Sequence, residues 1–79
     1  EKQLIKKIES LVSSGLEIKN NWAETKHGGG ISTTEIDRIK FIYKQNILGQ
    51  VSYTIYVDEK KINGISEGTM ILINNNLRF

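Results

Sequence analysis

A chain of 79 residues with a net charge of +2, one histidine, no cysteine and no proline holds little chemical inventory. So short a chain can bury only one modest core before conformational entropy overtakes the gain, so the sequence predicts a single small domain over residues 1–79. The missing cysteine excludes disulfides, thiolate nucleophiles and Cys-based zinc or iron–sulfur sites, and leaves packing, or a partner subunit, to stabilise the fold.

Thirteen Ile, nine Lys and seven Asn against two Arg are what an AT-rich coding sequence produces without selection on function. The mild basicity therefore reads first as a solubility feature, because committed nucleic-acid binders concentrate Arg and Lys far more. No apolar run approaches the ~20 residues that span a bilayer, and no leader pattern opens the chain. These features predict a soluble protein with no membrane partner, the cytoplasm being the favoured location.

Leu4, Ile5, Ile8, Leu11 and Val12 recur at helical spacing, which predicts an amphipathic helix over residues 2–14 ending at Gly15. Leu16, Ile18, Asn20 and Trp22 then alternate with Glu17, Lys19 and Asn21, the period of a strand over about 16–23. Gly28, Gly29 and Gly30 interrupt regular structure, and a flexible loop is expected over 25–33.

Two readings compete from Ile31 to Gln45. Ser32 to Glu35 matches a capping box, and Ile36, Ile39, Tyr43 and Ile47 fit a helix. Against it, Ile39, Phe41 and Tyr43 alternate with Arg38, Lys40 and Lys44, and β-branched and aromatic residues are dense, which favours a strand over about 36–45. Val51, Tyr53, Ile55 and Val57 then mark one face of a strand over about 50–58. Asp58 to Lys61 is a turn, residues 62–65 a short return, and the apolar run Met70 to Ile73 a last strand over 69–74, buried on both faces. The fold class expected is α+β, an N-terminal amphipathic helix packed on one face of a three- to four-stranded antiparallel meander.

One helix covers one side of such a sheet. The other would show Arg38, Lys40, Ile42, Lys44, Thr54 and Tyr56, with either Ile71 or the pair Met70 and Leu72. Apolar residues there call for a partner, so a homodimer or a bound protein is expected, with Trp22, Lys40, Ile42, Lys44 and Tyr56 as its binding residues. The plainer reading is that Ile42 and Tyr56 are isolated exposed side chains and the lysines a defence against edge-to-edge association.

The loop His27-Gly28-Gly29-Gly30 resembles an oxyanion-hole loop only superficially, because no nucleophile elbow accompanies it, and no Walker lysine follows to make it a phosphate loop. A lone histidine among scattered carboxylates offers no metal-ligand spacing, and no cofactor is expected. Metal-independent RNA cleavage needs only a base or acid, a carboxylate and a cation, and His27, Glu35, Arg38 and Lys26 could supply that set. An exposed loop histidine remains the commoner explanation of His27. The leading expectation is thus a small non-catalytic interaction module, a regulator or inhibitor that docks on a larger protein or on itself. The competing one is an RNA-directed protein, either a basic binder using Lys40, Lys44 and Tyr56 or a toxin-like small ribonuclease using His27.

Overall fold

The computed structural model describes residues 2–77. Its elements are α1 (Lys2–Ser13), β1 (Ile18–Glu24), β2 (Gly30–Ile36), β3 (Ile39–Gln45), β4 (Val51–Val57), β5 (Lys60–Lys61) and α2 (Glu67–Leu77). The strands form one sheet in the order β1-β2-β3-β4-β5, each antiparallel to the next. This is the α+β meander expected, with one strand more and a second helix.

Helix α1 forms because its apolar residues fall on one stripe, of which Ile8 is completely buried and Leu4, Ile5, Leu11 and Val12 pack around it. It ends where Gly15 takes a φ of +76° and its N–H donates to the Val12 carbonyl at 3.1 Å. Glycine meets no steric penalty in that left-handed region, so the chain can reverse there toward β1.

Side chains alternate across the sheet. Ile36, Ile39, Phe41 and Ile55 face the helices, fully buried, and join Ile8 of α1 with Met70, Ile73 and Leu77 of α2 in one core. Phe41 and Tyr43 each pack a ring on Tyr53, at centroid distances of 5.8 and 5.7 Å. Both helices serve the same face of the sheet, and they touch each other.

Three expectations need correction. The run 36–45 is strand rather than helix, but it is not continuous: β2 ends at Ile36 and β3 begins at Ile39, opposite each other in the register. Asp37 supplies the left-handed residue of that two-residue turn, with a φ of 54°, a conformation a short polar side chain tolerates. The loop expected over 25–33 is confined to residues 25–29, because Gly30 to Thr33 already pair in β2.

The strand expected over 69–74 is helix α2. Its buried residues, Thr69, Met70, Ile73 and Leu77, recur at helical spacing, while Ile71 and Leu72 point away and are 42% and 53% exposed. A run of four apolar residues fits either period, and the Ser66 cap favours the helix: the Thr69 N–H donates to Ser66 Oγ at 3.3 Å, and the Met70 N–H to the Ser66 carbonyl at 3.0 Å. A strand buried on both faces is therefore absent at residues 69–74, and with it one argument for a dimer.

Candidate functional site

The sheet face opposite the helices is left uncovered, and its composition follows from the register. One cross-strand row reads Lys19, Glu35, Lys40, Tyr56, Lys61; the next Asn21, Thr33, Ile42, Thr54; the third Ala23, Ile31, Lys44, Ser52. Ile31, Thr33, Ile42, Thr54 and Tyr56 are half-buried by their neighbours, while Lys19, Lys40, Lys44 and Lys61 are exposed. The result is a shallow floor of β-branched side chains and one tyrosine ring with lysines around it.

Four lysines against Glu35 give this face a net charge of +3. The whole chain carries +2, so everything outside the face sums to −1. At the end formed by the β2–β3 and β4–β5 turns the sign changes. Asp37, Asp58 and Glu59 border a depression there that Glu35, Lys40, Ile42 and Tyr56 also line. Asp58 and Glu59 both hold left-handed φ values, 51° and 68°, in the turn between β4 and β5. The two turns are tied by the Asp58 N–H to the Arg38 carbonyl at 3.1 Å and by an exposed ion pair of 3.5 Å between Arg38 and Asp58.

Of the residues selected from sequence, Lys40, Ile42, Lys44 and Tyr56 lie together on this face. Arg38 lies in a turn beside it, and Trp22 on the opposite side of the sheet, in the row of Ser32, Tyr43 and Tyr53. Lys19, Ile31, Thr33 and Lys61 belong to the face and were missed. Ile31 and Thr33 were hidden by assigning the start of β2 to a glycine loop, although Ile31-Ser32-Thr33-Thr34 has the β-branched content of a strand.

The residues that could cleave RNA are not brought together. His27 and Lys26 sit in the loop between β1 and β2, whereas Glu35 and Arg38 lie at the other end of β2. From Gly30 to Glu35 the strand advances roughly 17 Å at about 3.4 Å per residue. That separation prevents one phosphate from meeting both His27 and the Glu35–Arg38 pair. Among the described residues no three His, Asp or Glu gather in a metal-binding arrangement, and no helix is long and apolar enough to cross a membrane.

Comparison with protein families, with curated proteins and with solved structures finds no match to this chain.

Proposed function

We propose that the protein is a non-catalytic interaction module that docks on an acidic surface of a larger protein through the open face of its sheet. The observation that carries this reading is the +3 charge of a face whose centre, Ile31, Ile42 and Tyr56, is apolar and half-buried. An apolar centre inside a charged rim is the anatomy of a protein interface, and the rim charge selects the partner and speeds encounter.

Charge also decides between occupants. Two copies placed face to face would oppose Lys40 and Lys44 of their middle strands, so self-association through this face is disfavoured. Single-stranded RNA would find only one aromatic ring on this face to stack on, Tyr56, where binders of single strands present several. An acidic protein satisfies both the lysine rim and the β-branched floor.

Four seven-residue strands and the two-residue β5, about 4.8 Å apart, give a plane of at most roughly 20 by 20 Å, below the ~800 Å² per partner of a standard stable interface. A weak, readily reversed complex is expected, as suits a regulator.

The test is crosslinking capture from cells with four baits: the wild type, Lys40→Glu/Lys44→Glu, Tyr56→Asp and His27→Ala. Acidic proteins held by the wild type and by His27→Ala, but lost from the two face variants and released by salt, are the expected result. A set of captured proteins unchanged by the face variants would remove the proposal. Salt-sensitive binding of a single-stranded RNA in fluorescence anisotropy, abolished by Lys40→Glu/Lys44→Glu, would replace it with the nucleic-acid reading. A concentration-dependent dimer broken by Tyr56→Asp would replace it with self-association.

A further inference from the structure

The helices do not reach across the whole of the face they cover. Beside the C-terminal half of α2, a groove of about 500 Å³ stays open over β1, β2 and β3, walled by Asn20, Trp22, Ser32, Tyr43, Gln45 and Asn74 with Leu77 at its edge. That volume lies within the range of small-molecule sites, and none of the seven side chains is ionisable near neutral pH.

Trp22 is the feature that sets this groove apart. It is 57% exposed, an unusual state for so large an apolar ring, yet it is not loose: its six-membered ring lies against the backbone of Gly30, where any Cβ would collide with Cη2 and Cζ2. Gly30 faces Glu24 in the register, so the indole leans diagonally across the strand pair over a residue without a side chain, and is held on that surface while the rest of it meets solvent.

Around the ring, hydrogen-bonding capacity is divided in both senses. Asn20 donates from Nδ2 to Ser32 Oγ at 3.0 Å and to Thr34 Oγ1 at 2.7 Å, which uses both amide hydrogens and leaves Oδ1 as an acceptor. Tyr43 Oη donates to Gln45 Oε1 at 3.3 Å, leaving the Gln45 amide hydrogens as donors. Asn74 adds an amide that can serve either way.

We propose that this groove binds a neutral carbohydrate, with Trp22 as the platform and Asn20, Gln45 and Asn74 as hydrogen-bonding partners. A sugar ring has one C–H-rich face that rests on an indole, and hydroxyls that each donate and accept, which matches a held aromatic ring among paired amides. Among the described residues no cation lines the wall, which sets the groove apart from the lysine face and favours a neutral ligand over a phosphate or sulfate. The two sites lie on opposite sides of the sheet, so this inference stands independently of the docking proposal.

A glycan array probed with the labelled full chain tests it, followed by calorimetry on the best hit. Trp22 is the only tryptophan, so its own emission reports occupancy without a label. Binding of a neutral glycan class is expected, with a change in Trp22 emission and an affinity loss of about tenfold or more in Trp22→Leu. Asn74→Ala, on α2 and away from the strand pair, should weaken the same glycan and keeps the test valid if Trp22→Leu fails to fold. Retention of sulfated or sialylated glycans alone, no neutral glycan bound, or neutral-glycan binding untouched by both substitutions would each overturn the inference.

Discussion

Single residues at the loop end of the sheet show how unevenly glycine is constrained. A Cβ on Gly29 would run into the Gln45 carbonyl oxygen, which belongs to the paired backbone of β3 and cannot move aside. Gly29→Ala is therefore expected to cost about 1–3 kcal/mol in urea unfolding. The atoms nearest a Cβ on Gly30 are those of the Trp22 indole, a side chain and not backbone, so Gly30→Ala should displace that ring, alter its emission and cost less than Gly29→Ala. Gly68, in α2, has nothing near its Cβ and no left-handed φ. Gly68→Ala is expected to stabilise the protein by about 0.4–1 kcal/mol, chiefly by narrowing the unfolded ensemble, and a rise in the urea midpoint at constant slope would confirm it. Three glycines thus predict three different outcomes, and the spacing of residues in the sequence distinguishes none of them.

At the scale of the element, α2 is the part of the fold that local pattern misassigned. Met70, Ile71, Leu72 and Ile73 are adjacent apolar residues with no polar break, so a period of two and a period of 3.6 describe them equally well. What separates the two readings lies outside the run, in the Ser66 cap and in Leu77, which falls one helical turn beyond Ile73. Ile73 is completely buried against α1 and the sheet. Ile73→Ala should lose about 2–5 kcal/mol, whereas Leu72→Lys, on the exposed side, should stay within about 0.5 kcal/mol of the parent. In a strand buried on both faces the two would be equally harmful, so this pair of measurements tests the helix directly. The β2–β3 hairpin is the complementary case: its turn carries no glycine, and Asp37 takes the left-handed conformation in its place.

For the whole molecule, every long element contributes to one core, from Ile8 in α1 through Phe41 in β3 to Leu77 at the end of α2. Among the described residues the buried apolar side chains form one cluster, so unfolding should be a single transition. Helical circular dichroism, which follows α1 and α2, and Trp22 emission, which follows the β1–β2 edge, are expected to give the same urea midpoint. A separate early transition of Trp22 would mean that the sheet edge opens on its own. The same arrangement sets which surfaces stay uncovered: two helices on one side leave the other side of the sheet to the lysines, and their limited reach leaves the groove at Trp22 open.

The sequence by itself determined α1 and its Gly15 stop, the strand character of β1, β3 and β4, the α+β class, and the grouping of Lys40, Ile42, Lys44 and Tyr56 on one face. Those features rest on side-chain alternation and helical spacing within one element, which are local properties of the chain. The apolar run 70–73 left its own period open, which the Ser66 cap and Leu77 outside it resolve as helix, and only the tertiary structure decided that both helices lie on one side. It also placed Trp22 away from Tyr56 and set His27 a strand's length from Glu35 and Arg38. The reason is physical: an apolar run takes the period of the surface it packs against, and residues close in sequence are carried apart by every paired strand between them.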